Sequence, residues 1–282
     1  MTVEAGFSAF YVDADEYAGR WQAWHLRLTR AQLAMLIVAA VAANYGTAGL
    51  TVTAISFTIA ITATVCRYVT KSDRRWWSGR AGAESAKTLC WRYCVGGAPF
   101  EAGRLDADIL LASRLTDVAM SINENVPIGI GKAHITPAMR EARAQSLDER
   151  RSAYLGERIR DQMTWYSSKA STNDQLGQAW SVFAIGCQCG GLVLAIVSIV
   201  KHWEFDFVGM FSAVAASAAA WLAVKQHDVL ARSYNYASAE LALIDTEISS
   251  RQWTEDQWAA YVDNAEEAIS REHTAWRASR AT

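Results

Sequence analysis

Charge is missing from long stretches of this 282-residue chain. Gln175–Val200 carries no charged side chain and no histidine, and Phe207–Val224 carries no charge. Ala31–Cys66 is likewise uncharged, interrupted only by the polar stretch Asn44–Gly49. A bilayer core about 30 Å thick needs about 20 apolar residues as helix, so these runs predict four membrane crossings. The connection KHWEFD (Lys201–Asp206) is short enough to make its flanking helices antiparallel neighbours. A buried hairpin in a soluble bundle is the bland alternative, and uncharged runs of this length argue against it.

Other absences narrow the function. Net charge is −2, which gives no argument for a nucleic-acid partner, and no groove-reading or single-strand motif is present. No HExxH, GxSxG, Walker or kinase pattern occurs, and the five histidines (His25, His134, His202, His227, His273) are scattered. His227 and Asp228 are adjacent but point to different faces of a helix. The expectation is therefore no enzyme and no cofactor. The five cysteines (Cys66, Cys90, Cys94, Cys187, Cys189) fall in membrane or cytosolic segments and are expected as free thiols. Cys90 and Cys94 lie one helical turn apart, but no Cys or His pair stands nearby to complete a metal site, so packing is the favoured reading. Asp13, Asp15 and Glu16 occupy the N-terminal region where a signal peptide would need basic residues. Of the 27 Lys and Arg, only Lys201 falls in a segment read as outside, which places both termini and Arg67–Asn173 in the cytoplasm. No acidic or basic residue lies inside a crossing, which argues against a proton-coupled carrier.

What is present repeats. A shift of about 156 residues lays one uncharged region over the other and matches Trp24 with Trp180 and Glu84 with Glu240. The chain divides into residues 1–135, with a hairpin over about 31–69, and residues 136–282, with a hairpin over about 175–224. Both hairpins cross twice and share one orientation. The fold class expected is an all-α integral membrane protein, with four transmembrane helices as two tandem hairpins and long cytosolic helices forming a helical bundle.

The crossings differ in their polar content. Ala31–Tyr45 is short and must borrow residues from a flank or sit in a locally thinned bilayer. Leu50–Val69 carries Thr51, Thr58 and Thr62 within about 40° of one another, a hydroxyl stripe that suits either interhelical packing or a neutral pore lining. Gly186 and Gly190 have small-xxx-small spacing, and Gly209, Ala213 and Ser217, with Ser212, Ala216 and Ala220 separately, give the fourth crossing faces for close helix packing. Gln188 is expected to bond a neighbouring helix. Lys201, His202, Glu204 and Asp206 would set the field at a pore mouth, with charges of mixed sign.

Outside the membrane, the second crossing is expected to run on as one helix through Lys71–Val95. Trp77, Glu84 and Trp91 recur there every seven residues, and an Arg80–Glu84 pair is one turn apart, so this face is expected to dock other cytosolic helices, as is Glu240. Gly96, Gly97 and Pro99 end that helix. Arg104–Glu124 reads as amphipathic through Leu105, Ile109, Leu111, Leu115, Val118 and Ile122. Val126–Ala133 reads as a loop that lacks the spacing of a phosphate loop. Thr136–Pro137 opens a helix expected to run, with one break near Gly156, into the third crossing. The fourth is expected to emerge as Lys225–Ile244, and Thr254 with Gln257 forms a capping box for the last helix.

Tyr154, Arg158, Gln162, Trp165, Tyr166, Lys169, Ala170 and Asn173, directly before a hairpin, resemble the SLATT family of SMODS- and SLOG-associating two-transmembrane effector domains, and Glu266–Trp276 resembles its C-terminal helix. Trp76, Trp77, Arg80, Ala83, Glu84, Lys87, Trp91, Arg92 and Tyr93 resemble a second, divergent subtype. The resemblance implies a bacterial inner-membrane protein of nucleotide-signalled defence systems acting as a pore-forming effector, with any nucleotide sensor a separate partner protein. It carries no functional residues across. The leading expectation is thus an oligomeric channel or pore in the lipid bilayer, with cyclic symmetry and ions as permeant species. The alternative is a membrane-anchored scaffold or sensor whose cytosolic helices bind a partner.

Overall fold

The computed structural model describes residues 3–122, 135–202 and 205–281, with side chains up to Ile269. Among these residues every regular element is helical. A 3-10 turn (Glu4–Gly6) precedes α1 (Ala9–Ala42), α2 (Gly46–Thr70), α3 (Ser72–Val95) and α4 (Ala107–Ile122). Then come α5 (Pro137–Ala144), α6 (Leu147–Ala153), a π-helical segment (Tyr154–Arg160) and α7 (Asp161–Lys201), followed by α8 (Phe207–Lys225), α9 (His227–Ser250) and α10 (Glu255–Ala281). Four stretches are long and apolar enough to cross a bilayer: α1, α2, the run from α6 through α7, and the run of α8 and α9. Of the two ways open to the short run Ala31–Tyr45, α1 takes the first and obtains its length from the N-terminal flank.

Contacts divide the chain into two compact units that cut across the tandem repeat. The first gathers Met1–Gln22, Asp73–Ser168 and Ser233–Thr282; the second gathers Ala23–Ser72 and Lys169–Arg232. The first unit therefore pools the polar helices of both repeats, and the second pools both membrane hairpins.

The first unit has a core of large side chains. Trp91, Trp258, Tyr93, Tyr154, Phe100, Leu111, Leu115 and Met139 are all fully buried. Rings meet edge to face in a chain through Phe7, Trp91, Tyr154 and Trp258, at centroid distances of 5.4, 5.9 and 5.7 Å, which links the two repeats. The C-terminal carbonyls of α3 are satisfied from outside the helix. Gly96 adopts φ 75° and Gly97 N–H donates to Arg92 O at 2.8 Å, while Val95 O accepts from Arg150 Nη1 and Trp258 Nε1, both at 2.8 Å. Arg143 donates to the carbonyls of Tyr93, Phe100 and Glu101. Two cationic side chains thus stand where the helix dipole is negative.

The second unit is packed differently. α2 buries Gly49, Ser56, Ala60 and Ala63, and α8 buries Ala215, Ser217 and Ala218. Its large apolar residues, among them Ile55, Phe57, Ile61, Val182, Ile185 and Leu192, are exposed. Small residues let backbones approach: a Cβ at Gly49 would run into Ala42 O, and Thr53 Oγ1 donates across the hairpin to Ala39 O at 3.1 Å. A Cβ at Gly190 would stand 2.8 Å from the Phe211 ring.

Several expectations are corrected. α2 does not run on to Val95, because Lys71 takes a left-handed conformation (φ 46°) and α3 starts afresh at Ser72. α8 ends in the same way at Gln226 (φ 50°), and α9 starts at His227. Neither break is marked by Gly or Pro, and a non-glycine residue pays roughly 1–2 kcal/mol to stand there. The break before the third crossing lies at Gln145–Ser146, where Ser146 and Glu149 form a capping box, and Gly156 sits inside the π-helical segment. Leu105 precedes α4 and, like Ile109 on it, is exposed, and the buried stripe of α4 is Ala107, Leu111, Leu115, Ala119 and Ile122. The expected caps at Thr136, with Pro137 following, and at Thr254 with Gln257 are both formed. The loop Val126–Ala133 lies outside the described residues.

Candidate functional site

The hydroxyl stripe of α2 can act only if nothing in its own chain covers it. Thr51, Thr58 and Thr62 are all exposed. They stand about 150° around the helix from the buried stripe of Gly49, Ser56, Ala60 and Ala63, at 100° per residue. Each hydroxyl donates to a carbonyl four residues back: Thr51 to Thr47 O (3.2 Å), Thr58 to Ala54 O (2.9 Å) and Thr62 to Thr58 O (2.8 Å). The donors are thereby satisfied while oxygen lone pairs stay available on an uncovered face of a spanning helix.

At the hairpin tips, Asp206 accepts Gly209 N–H at 2.7 Å as the N-cap of α8, and its own N–H donates to Asn44 Oδ1 at 2.7 Å. Tyr45 and Phe205 meet edge to face at 5.8 Å. The tips of both hairpins are therefore tied to each other. Gly209 is explained by that cap, since a Cβ there would run into the Asp206 carboxylate. Lys201 and His202 are exposed, His202 with φ 53°, and Glu204 lies outside the described residues. Of the other small residues, Gly186 has nothing within 4 Å of a modest side chain, Ala213 is half-buried, and Ser212, Ala216 and Ala220 are exposed.

At the opposite end of the hairpins, the residue after each left-handed break is buried and paired with the hairpin's first helix. Ser72 Oγ meets His25 Nδ1 at 3.0 Å, and His227 Nδ1 donates to Asn173 Oδ1 at 2.8 Å. Arg67 Nη1 adds a bond to Thr29 Oγ1 at 2.7 Å. Sequence reasoning missed the ties of Asn44, His25 and Thr29. The available signal was a polar residue at the turn of the first hairpin, Asn44, and two beside the start of its uncharged run, His25 and Thr29.

The motif residues of the first unit build a buried polar knot. Arg158 donates through Nε and Nη2 to the two oxygens of Glu266, at 2.9 and 2.7 Å. Tyr154 Oη (3.0 Å) and Thr88 Oγ1 (2.9 Å) complete the carboxylate's acceptors. Both ionic side chains are essentially inaccessible. Burial works against the Arg158 charge, and the Glu266 carboxylate more than offsets it, holding the guanidinium above its ordinary range. Burial and the same carboxylate push the Tyr154 hydroxyl well up. Three helical segments from both repeats meet here, and every acceptor position in use is taken by the protein. The knot is a structural lock between the repeats.

The expected docking face of α3 divides. Trp91 is fully buried in the ring chain, whereas Trp77 stacks on Trp76 at 3.8 Å and is half-buried. Arg80 bridges Glu84 at 2.6 Å and reaches Asp15 at 3.5 Å. Arg92 binds Asp263 at 2.8 Å, joining α3 to α10. Glu240 is half-buried on α9 and takes no part in these pairs. Cys90 and Cys94 are buried, and burial raises both thiols, Cys90 to about 11, which suits packing rather than reactivity.

A chain that buries small residues and exposes large apolar ones along four spanning helices is an integral membrane protein built from two tandem hairpins. Residues 8–151 match the SMODS and SLOG-associating 2TM effector domain 3, and residues 154–276 match the SMODS and SLOG-associating 2TM effector domain 1. The chain belongs to this SLATT family and carries two of its units in tandem. Neither a curated protein nor a solved structure matches it.

Proposed function

We propose that this tandem SLATT protein is the subunit of an oligomeric, pore-forming membrane effector, with the α2 threonine face lining the conduction path. The observation that carries the reading is the uncovered stripe of Thr51, Thr58 and Thr62, turned away from the hairpin's own packing face. A closed ring of copies is the simplest way to convert such a face into a neutral, wettable lumen. The absence of charge in every crossing favours passive conduction over coupled transport. The positive residues flanking the runs favour both termini and the first unit in the cytoplasm, and the family membership favours a bacterial inner membrane. There the first unit would receive a separate nucleotide-sensing partner, as the family's association with SMODS and SLOG domains suggests. The reading involves no catalysis.

Single-channel current in planar bilayers under asymmetric KCl tests it. Discrete steps are expected, and Thr58→Trp is expected to abolish them with oligomer size on a sizing column unchanged. Full conductance in Thr58→Trp overturns the lining. Silence of the unaltered protein, with cyclic nucleotides and tension applied, transfers the assignment to a membrane-anchored scaffold that binds a partner through its first unit.

A further inference from the structure

The hairpin unit contains a cleft of about 620 Å³ among α1, α7 and α8. Its walls are apolar, from Leu33, Ile37, Trp180, Phe183, Val214 and Trp221. At its mouth stand two cations, Arg30 and Lys225, on the same indole: the Arg30 guanidinium lies 5.2 Å from the Trp221 ring centre and the Lys225 ammonium 5.8 Å. Among the described residues neither forms an ion pair with a carboxylate, and the Lys225 ammonium is disfavoured first by burial and then by the like charges of Arg30 and Lys169. Arg30 is exposed and Lys225 half-buried, so water screens their repulsion in part, and an anion bridging the two would gain from both charges.

Their position says which anion. Arg30 immediately precedes the uncharged run that starts at Ala31, and Lys225 immediately follows the one that ends at Val224. Both are therefore the first charges beyond a membrane crossing, at the level where lipid headgroups lie, and the apolar walls extend from them into the spanning segments. Trp180 and Trp221 are of the residue type that favours this boundary. We infer that the cleft binds one anionic phospholipid, its phosphate on Arg30 and Lys225 and an acyl chain along the Leu33–Ile37 and Val214 walls. The volume is within the range of small-molecule sites, about 300–1,000 Å³. The inference stands whether or not the protein conducts.

The test is the thermal midpoint of the full-length, delipidated protein in dodecyl maltoside. The additives are dioleoylphosphatidylglycerol, dioleoylphosphatidylcholine and inorganic phosphate. A ligand held at 100 times its dissociation constant stabilises by about 2.7 kcal/mol, so a shift of several degrees is expected with phosphatidylglycerol alone. Arg30→Gln/Lys225→Gln is expected to lose that shift, and so is Val214→Trp, which fills the cleft without altering its charge. If the double variant does not fold, Val214→Trp decides alone. An equal shift with phosphatidylcholine removes the anion from the assignment, and an equal shift with phosphate removes the lipid. A shift surviving in Val214→Trp overturns the location. A smaller oligomer in that variant gives the cleft to a helix of a second copy instead.

Discussion

The two compact units bury opposite kinds of residue. In the first, the core holds Trp91, Trp258, Tyr154 and Phe100, with an ion pair and two hydroxyls sealed among them. In the second, the buried positions include Ala39, Ala60, Ala63, Ala184, Ala215 and Ala218 with a few hydroxyls, while many leucines, isoleucines and valines face outward. Water drives large apolar side chains together, whereas lipid is as apolar as leucine and offers no such reward. Helices in lipid gain by close backbone approach, and small residues permit it. One chain therefore follows two packing rules, and the boundary between them runs across both repeats rather than between them.

The comparison is most sharply tested at the buried knot. Glu266→Gln leaves the Arg158 charge uncompensated and is expected to destabilise the protein by about 3–5 kcal/mol. Thermal unfolding in detergent, followed by tryptophan fluorescence, reads the effect, since Trp91 and Trp258 report on that core. An effect below about 1 kcal/mol, the range of an exposed pair such as Arg251–Glu247, would mean that water reaches the knot. A pair of glycines tests packing in the second unit. Gly190→Leu must displace Phe211 and is expected to cost about 1–3 kcal/mol by overpacking, while Gly186→Leu, with open space around it, is expected to cost little. An equal loss at Gly186 would place a second copy's helix against it. The smallest effect expected is that of Thr53→Val. It removes the cross-hairpin bond to Ala39 O for about 0.6 kcal/mol, against no measurable loss for Thr58→Val, whose hydroxyl bonds only within its own helix. The same melt, run on both variants, distinguishes them.

Much of this organisation was legible in the sequence. The uncharged runs located the crossings, and the caps at Thr136 and Thr254 marked where two helices begin, because both signals are local. The breaks at Lys71 and Gln226 were not legible. Their equivalence by structure is a shift of 155 residues, one short of the sequence shift, and neither residue is a usual left-handed one. Each is held by the buried partner that follows it, Ser72 on His25 and His227 on Asn173. The motif positions Tyr154, Arg158 and Trp91 were visible as a pattern, but not the Glu266 knot and the ring chain they form.

Of the candidate site, the sequence alone determined that three threonines share one face of a spanning helix, because helical periodicity fixes that without reference to any neighbour. It also determined that the long apolar runs carry no charge. Only the tertiary structure decided which faces are covered: that the threonine stripe lies opposite the packing face, that Asp206 is used as a helix cap and a tie to Asn44, and that Arg30 and Lys225 meet over one tryptophan at the mouth of an apolar cleft. The physical reason is range. Hydropathy and capping act within a few residues, whereas the pairings that gather these groups join positions as far apart as Asn44 and Asp206 and depend on how four helices pack.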